Sequence, residues 1–162
     1  MNTIFYNKPE IIFDPFIINE DLTFIHGKKL NDSVNDLKLS GNEEIHYLNE
    51  KSFESEILKF EKLKTNNGWI HFNNGTSFKI SEGKILSIKL RLESLGKLIK
   101  YDSDFVRKKL GIPDRIGVDE ITWVFDTVKE AEIYFYDNKK LEVYFDPNSK
   151  KINQIVIGDI SS

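Results

Sequence analysis

The last third of the chain alternates between β-prone runs and short turns, and this pattern constrains the fold more than any other. The runs read ITWVF, EIYFYD, LEVYFD and INQIVIGD, within residues 121–159. The turn sequence DNKK joins the second run to the third, and PNSKK joins the third to the fourth. Aromatic and β-branched runs bounded by Asn, Asp, Pro and Ser are typical of strands joined by turns. The pattern predicts an antiparallel sheet in this region.

The middle of the chain adds a helix and three further strands. The stretch GWIHFNNGTSFKIS predicts a hairpin around Asn74 and Gly75, because Asn-Gly is a strong hairpin signal. After a turn at Glu82 and Gly83, the run KILSIKLRL predicts a third strand. Residues 52–65, SFESEILKFEKLKT, predict a helix that Ser52 caps. Its apolar residues at helical spacing are Phe53, Ile57, Phe60 and Leu63.

Two short helices are predicted before the C-terminal strands. LGKLI forms the first, and DSDFVRKKLG forms the second, which begins at Asp102 or Ser103. We expect Gly111 to end it with a positive φ, because Lys occupies the last turn and Pro113 follows. Upstream, residues 4–48 are predicted to be irregular, and no linker or internal repeat divides the chain. These features predict one α+β domain over residues 1–162, an antiparallel β-sheet with helices packed on one face.

Composition excludes several classes of function. Cysteine is absent, so the chain can form neither a disulfide nor a thiolate metal site. The net charge of −3 disfavours a general nucleic-acid binder, which normally has a basic face. No run of about 18 apolar residues occurs, so no membrane span is predicted. The N-terminal residues lack the basic and apolar regions of a signal peptide, which predicts a cytoplasmic protein.

The sequence GIPD is the one local pattern with a catalytic interpretation. Asp114, followed by Asp137 and Lys139, matches the outline of the PD-(D/E)xK nucleases, in which two carboxylates hold a divalent metal and a lysine orients the attacking water. The context differs, because Asp114 follows a helix and Asp137 lies at the tip of a hairpin. We therefore expect the two carboxylates to be too far apart to share an ion. No catalytic residue, metal or cofactor is predicted, and no ligand motif contains His26, His46 or His71.

The tyrosines of the C-terminal strands predict a binding surface. Side chains alternate across a strand, so Ile133 and Phe135 are expected on the side opposite Tyr134 and Tyr136. We predict an open face that is shared by Tyr134, Tyr136, Tyr144 and Glu142 and extended by the loop residues Asp119 and Glu120. Rigid rings surrounded by carboxylates suit a basic protein partner. The alternative is that these tyrosines only brace the sheet.

The region from residue 95 to residue 159 resembles the BamE/SmpA-type and β-lactamase-inhibitor-type modules. The similar features are a short helix ending VRKKLGIPD, a strand with Trp123, and the stretch YFYDNKKLEVYFDPNSKKINQIVIG. This resemblance implies a pair of helices on one face of an antiparallel sheet, with a protein bound by the open face or its loops. The chain has neither the lipobox Cys of the lipoproteins nor the disulfide of the secreted inhibitors, which disfavours a role in outer-membrane assembly.

Small cytosolic immunity proteins share this general pattern, and they lead to the specific functional prediction. We expect a non-enzymatic protein-binding domain, an immunity protein that inhibits a cognate bacterial toxin. One alternative is a metal-dependent nuclease that uses Asp114, Asp137 and Lys139. Another is a ligand-binding or structural module without a protein partner.

Overall fold

The computed structural model describes residues 24–47, 54–122 and 128–159. The strands in these ranges are β1 (Glu44–Tyr47), β2 (Gly68–His71), β3 (Thr76–Ser81), β4 (Lys84–Arg91), β5 (Arg115–Thr122), β6 (Val128–Tyr136), β7 (Leu141–Phe145) and β8 (Ile152–Gly158). The helices are α1 (Glu56–Leu63) and α2 (Ser103–Leu110), with 3₁₀ segments at Ile25–Gly27, Leu92–Lys100 and Asp137–Lys139. None of these helices has the length and apolar character that a membrane crossing requires.

The eight strands form one antiparallel sheet, in the order β1-β2-β3-β4-β8-β7-β6-β5. The described chain is therefore α+β with an antiparallel sheet, as the sequence predicts. β8 pairs with β4 on one side and with β7 on the other. It thereby joins two meanders, β1 to β4 and β5 to β8, so both halves of the described chain belong to the same sheet. β1 lies in the region predicted to be irregular.

The strand register gives the sheet two faces of different composition. Residues opposite each other in antiparallel strands point to the same side. On the side we call the core face, one row across the sheet consists of Ile45, Ile70, Phe78, Ile88, Ile157, Leu141 and Tyr136. On the side we call the polar face, the matching row consists of Glu44, His71, Ser77, Lys89, Val156, Glu142, Phe135 and Arg115.

The hydrophobic core lies against the core face. Buried side chains of the helical segments join the strand residues in one cluster: Phe60 and Leu63 of α1, Leu95 and Leu98 of the 3₁₀ segment, and Val106 of α2. Phe24, Val34 and Leu37 from the segment before β1 belong to it as well. Burying a side chain of this size contributes roughly 1.5–3 kcal/mol, so this cluster supplies the main stabilisation of the described chain.

Helix α1 begins three residues later than the sequence predicts. Its cap is Ser55, whose side chain accepts a hydrogen bond from the Leu58 N–H, and the predicted cap Ser52 lies outside the described residues, as does Phe53. Contacts with β1 explain the start, because the Glu56 carboxylate accepts from the Ile45 N–H at 3.0 Å. Phe60 and Leu63 are buried as predicted. The prediction for Ile57 is wrong, since this side chain is 69% exposed in the first turn.

The segment predicted as the helix LGKLI is a 3₁₀ segment, Leu92–Lys100. Gly96 has φ 56° and ψ −128°, a conformation outside the helical region, and it divides the segment in two. Leu95 and Leu98 nevertheless reach the core. Leu95 lies before Gly96 and Leu98 after it, so each half of the segment buries one leucine and no continuous helix is needed.

Strand β5 begins at Arg115, six residues before the predicted run ITWVF. Asp119 and Glu120 therefore lie within a strand and not in a loop, where their backbones pair with Ala131 and Glu130. The residues that made the run look β-prone, Trp123 to Phe125, lie outside the described residues. The runs predicted for β6, β7 and β8 are strands.

The hairpin predicted at Asn74 and Gly75 is confirmed. β2 and β3 are joined by a short loop in which the Phe72 N–H donates to the Thr76 carbonyl at 2.8 Å. The Asn74 side chain accepts from the Thr76 N–H at 2.9 Å. Gly75 has φ 93°, and a Cβ there would lie 2.1 Å from the Arg91 carbonyl oxygen. Glycine is therefore needed for both the turn and the close approach of β4.

Helix α2 has the predicted ends. Asp102 caps it by accepting from the Phe105 N–H at 2.9 Å, and the Gly111 N–H donates to the Arg107 carbonyl at 2.8 Å. Gly111 has φ 86° and ψ −169°, a region that side chains with a Cβ avoid. A Cβ at this position would meet no atom within 4 Å, so only the backbone conformation opposes it.

We predict that Gly111→Ala lowers the free energy of unfolding by about 1–3 kcal/mol, the usual strain of this backbone region. Chemical denaturation of the wild type and the variant measures the difference. Lys108→Ala, an exposed change in the same helix, is the control and should have a much smaller effect. Equal stability of wild type and Gly111→Ala would contradict the strain.

Candidate functional site

The three tyrosines of the predicted surface do not share a face of the sheet. Tyr134 pairs with Val143 and Tyr136 pairs with Leu141, whereas Tyr144 pairs with Ile133. Tyr134 and Tyr136 therefore lie on the core face and Tyr144 on the polar face. The prediction assumed that the even-numbered residues of β6 and β7 share a face. It is wrong because the even-numbered residues of β6 lie opposite odd-numbered residues of β7. Alternation within each strand was assigned correctly, but the register between the strands was not.

Tyr134 and Tyr136 hold helix α2 against the sheet. Each is only 3% exposed. The Tyr134 hydroxyl accepts from Arg107 Nε at 3.1 Å, and the guanidinium carbon lies 5.2 Å from the tyrosine ring centroid. The Tyr136 hydroxyl donates to the Gly111 carbonyl at 2.9 Å, and burial raises the pKa of Tyr136 to about 12. Both residues have a structural role in the folded protein, which was the alternative interpretation of the tyrosines.

Tyr144 and Glu142 are neighbours on the polar face, as predicted. The Tyr144 hydroxyl donates to Glu142 Oε1 at 2.8 Å, and Glu142 is 4% exposed. Burial raises the pKa of the Glu142 carboxyl, although the Tyr144 hydrogen bond and the charges of Arg115 and Lys89 act in the opposite direction. A carboxyl group this well buried is a poor centre for an exposed acidic surface.

The predicted acidic and aromatic surface is therefore not assembled. Asp119 and Glu120 lie in β5, at the edge of the sheet, and two of the three tyrosines lie on its other side. The described side chains do not place the three tyrosine rings together among carboxylates, so the surface that was expected to bind a basic partner is absent from them.

A different cluster lies on the polar face, around Trp69 in β2. The Trp69 ring stacks on the His71 ring, with centroids 5.8 Å apart and planes inclined by 7°. The ammonium groups of Lys89 and Lys79 lie 4.5 Å and 5.9 Å from the Trp69 ring centroid. His46 packs edge-on against His71, at 5.4 Å between centroids. We call these five residues the Trp69 cluster.

Sequence reasoning missed the Trp69 cluster, although a signal was present. In KILSIKLRL the residues Lys89 and Arg91 alternate with Ile88 and Leu90. This alternation indicates one polar side and one apolar side of a strand. The partners from β2 follow only from the strand register, which places Trp69 opposite Lys79 and His71 opposite Ser77.

A cavity of about 460 Å³ opens next to the Trp69 cluster. It lies between the β2–β3 hairpin, the end of β4 and the segment that leads into β1. Its polar and charged lining residues are Asn42, Glu44, His71, Asn73, Ser77, Lys89 and Arg91, and its apolar ones are Phe72 and Leu92. His71 Nδ1 lies 2.6 Å from the Ser77 hydroxyl.

Asp114 and Asp137 are neighbours in the fold. The Asp114 carboxylate accepts from the backbone N–H of Asp137 at 2.7 Å, and the expectation that the two carboxylates are too far apart to share an ion stays a prediction. The backbone pairing of β5 with β6 brings them together, because Asp114 N–H donates to the Phe135 carbonyl. The Asp137 carboxylate is bound by Arg115 at 3.0 and 3.2 Å. Across the described ranges, no three His, Asp or Glu side chains are grouped so as to hold a metal ion.

We predict that Tyr136→Ala destabilises the protein by about 3–5 kcal/mol, the usual cost of deleting a buried aromatic ring. Tyr136→Phe should cost about 1 kcal/mol, because the Gly111 carbonyl then loses its donor. Thermal or chemical denaturation measures both. Tyr144→Ala is the comparison on the polar face and should cost less than Tyr136→Ala, since its ring is partly exposed. Equal losses at the two positions would contradict the assignment of faces.

A second prediction concerns the pH dependence of stability. The raised pKa of Glu142 means that the folded protein holds this proton more tightly than the unfolded chain does. Stability from this group is therefore complete below the ordinary pKa of 4.5 and decreases as the pH rises above it. Glu142→Gln removes the decrease while keeping an oxygen that accepts from Tyr144.

Melting temperatures recorded across this pH range test the prediction. The advantage of Glu142→Gln over the wild type should grow as the pH rises above 4.5. Glu93→Gln, which removes an exposed carboxylate from the Leu92–Lys100 segment, is the control. A difference between Glu142→Gln and wild type that does not change with pH would contradict the assignment.

Comparison with known proteins adds little. The sequence matches no protein-family model, and no curated protein is significantly similar to it. Among solved structures, the crystal structure of a DUF4309 family protein (YjgB) from Bacillus subtilis is similar, with 17% sequence identity and a TM-score of 0.35. The match covers 59% of this chain and 59% of that protein. A similarity this low carries no argument about fold or function, and it does not bear on the resemblance to the BamE/SmpA-type modules.

Proposed function

We propose that this chain is a non-enzymatic protein-binding domain and that it acts as an immunity protein against a cognate bacterial toxin. The observation that carries the proposal is the Trp69 cluster on the polar face. Trp69 and its histidine and lysine neighbours lie on a face that does not contribute to the main core. Tryptophan, tyrosine and arginine are the residues that most often dominate the affinity of protein interfaces.

The position of the cluster supports a role in binding. The helical segments contribute their buried side chains to the cluster on the core face. We infer that they cover this face and leave the polar face to a partner. Trp69 and Lys89 are partly buried, so their side chains are held in place before a partner arrives. Preorganised anchors reduce the entropy that is lost on association.

The charges of the polar face suit an acidic partner. Lys79, Lys89 and Arg91 follow one another along β3 and β4, and Arg115 lies at the far end of the row. Glu142, the acidic residue of that row between Lys89 and Arg115, is buried. Complementary charges accelerate encounter and select partners. We therefore propose an acidic surface on the toxin in place of the basic partner that the tyrosine pattern suggested.

The structure bears differently on the nuclease role, the family resemblance and the ligand-binding role. The nuclease role would need the Asp137 carboxylate for a metal ion, and Arg115 already binds this carboxylate. The resemblance to the BamE/SmpA-type or β-lactamase-inhibitor-type modules stays a prediction, and its protein-binding face is compatible with the proposal. Action in the cytoplasm remains part of the proposal. A ligand-binding role is supported by the cavity beside the Trp69 cluster.

The test uses the polypeptide encoded by the reading frame next to this gene. We expect the two proteins to form a stable complex, and co-expression to restore growth of cells that produce the neighbouring protein. Trp69→Ala should weaken binding by about 2 kcal/mol or more, roughly thirtyfold, as at an interface hot spot. Titration calorimetry measures the affinity, and a thermal melt of each variant checks the fold.

Lys97→Ala is the matched control, because this exposed residue lies in the Leu92–Lys100 segment and not on the polar face. It should bind like the wild type. The proposal is wrong if the neighbouring protein neither binds nor inhibits growth. The proposed surface is wrong if a complex forms but Trp69→Ala binds as tightly as Lys97→Ala.

A further inference from the structure

We infer that the cavity beside the Trp69 cluster binds a dianionic oxyanion group, and that its ligand is a small phosphate ester. The ligand does not require the proposed toxin partner, although Lys89 belongs to both sites. The inference rests on which charged groups line the cavity, on how they are held, and on the size and apolar part of the space.

Two cations, Lys89 and Arg91, line the cavity without a hydrogen-bond or ion-pair partner in the described part of the chain. No carboxylate or carbonyl there accepts from the Lys89 ammonium or the Arg91 guanidinium. Lys89 is held over the Trp69 ring at 4.5 Å. The backbone of Arg91 is fixed by its N–H, which donates to the Gly75 carbonyl at 3.1 Å and to Ser94 Oγ at 2.9 Å. The Lys89 ammonium is therefore held by an aromatic contact, and the Arg91 side chain extends from a fixed backbone position; both are donors of the kind that bind phosphate.

Neutral hydrogen-bonding groups complete the lining. His71 uses Nδ1 for Ser77, and its Nε2 has no hydrogen-bond partner within the described ranges. Asn73 and Asn42 add side-chain amides. The cavity has one carboxylate in its described lining, that of Glu44, whose side chain is 78% exposed and lies 3.8 Å from the His46 imidazole. The charge balance therefore favours an anion.

The ionisation of these groups supports the same conclusion. Burial lowers the pKa of Lys89, the charges of Arg91 and Lys79 lower it further, and the charge of Glu142 raises it. The pKa of His71 is lowered by burial and by His46, Lys89 and Arg91, while Glu44 alone raises it. Positive charges are thus crowded together, and the carboxylates of Glu142 and Glu44 offset them only in part. A bound dianion would relieve this repulsion.

The size of the cavity points to an ester and not to inorganic phosphate alone. Small-molecule sites usually enclose about 300–1,000 Å³. The volume of about 460 Å³ lies in this range. Phe72 and Leu92 give the cavity an apolar part that an organic substituent can contact. We therefore expect an organic phosphate to bind more tightly than inorganic phosphate.

The experiment is an NMR titration of the full isotopically labelled chain with inorganic phosphate, phenyl phosphate, sulfate and succinate. We expect saturable shifts of the Ser77, Lys89 and Arg91 amides, with a Kd of about 1 mM or tighter for phenyl phosphate. Sulfate tests whether any tetrahedral dianion suffices, and succinate tests whether carboxylates compete. Weaker saturable binding of these two supports a phosphate ester, whereas equal or tighter binding of succinate would overturn the assignment to phosphate.

Variants identify the binding groups. Lys89→Gln and Arg91→Gln should each weaken phenyl phosphate binding about tenfold, the loss expected for one charge-assisted hydrogen bond. Lys79→Gln is the control, because Lys79 contacts the Trp69 ring on the same face but does not line the cavity. Amide spectra of each variant check the fold. Equal losses for all three variants, or shifts that do not saturate with any probe, would overturn the inference.

The His71 imidazole provides a second measurement. Sulfate stays a dianion throughout the range in which histidine titrates, so only protein groups change charge. The pKa of His71 should rise when sulfate saturates the cavity, and sulfate should bind more tightly as the pH falls through that pKa. The charged and titratable groups that face His71 are Glu44, His46, Lys89 and Arg91. A pKa of His71 that does not change with sulfate would contradict binding at this position.

Discussion

The pairing of β4 with β8 is the interaction on which the rest of the structure depends. It joins strands that are more than sixty residues apart in sequence, with Ile88 opposite Ile157 and Leu90 opposite Ile155. Each of the two meanders has only local connections, and an isolated four-stranded meander would leave an edge of unpaired N–H and C=O groups. Pairing of β4 with β8 satisfies the backbone groups of both edges. It also joins the apolar faces of the two meanders into one continuous core face. The same register places Lys89 beside Val156 and Arg91 beside Gln154 on the polar face.

The sequence predicted the elements well where the signal is local. The Asn74-Gly75 hairpin, the end of α2 at Gly111 and the strands β6, β7 and β8 all follow from turn residues and alternation. The prediction failed where the local sequence allows two equivalent choices and tertiary contacts decide between them. Ser52 and Ser55 are equivalent caps by residue type, and the hydrogen bond from the Ile45 N–H to the Glu56 carboxylate lies beyond any local window.

The candidate site could be predicted only in part, because a site on a sheet depends on register. Alternation assigns each strand two sides, but it does not say which side of β6 matches which side of β7. A change of one residue in the connection between Tyr136 and Leu141 would reverse that match. Because this register differs from the assumed one, Tyr134 and Tyr136 lie on the opposite face from Tyr144. The Trp69 cluster needed three such matches, across β1, β2, β3 and β4, before its members could be placed together.

The polar face combines groups that are costly to bury, and this is itself an argument for function. Burying a charged group without a close opposite charge reduces stability, so a fold selected for stability alone would replace it. Glu142 is nearly inaccessible beneath Tyr144, and Lys89 lies partly buried against Trp69. On the core face, by contrast, the corresponding rows are apolar. Real proteins depart from such local rules mainly where a site requires it.

Lys89 belongs to both proposed sites, since it contacts the Trp69 ring and also lines the cavity. If both proposals hold, the two sites cannot be thermodynamically independent. An anion that draws the Lys89 ammonium towards the cavity changes the contact that holds Trp69, and a partner that covers Trp69 changes the energy of that same ammonium. Linkage requires the two effects on affinity to be equal in size and sign. The two ligands weaken each other's binding if they compete for the Lys89 ammonium. They strengthen it if both can contact this ammonium at the same time. The single side chain at position 89 is therefore where a small ligand would influence the binding of a protein.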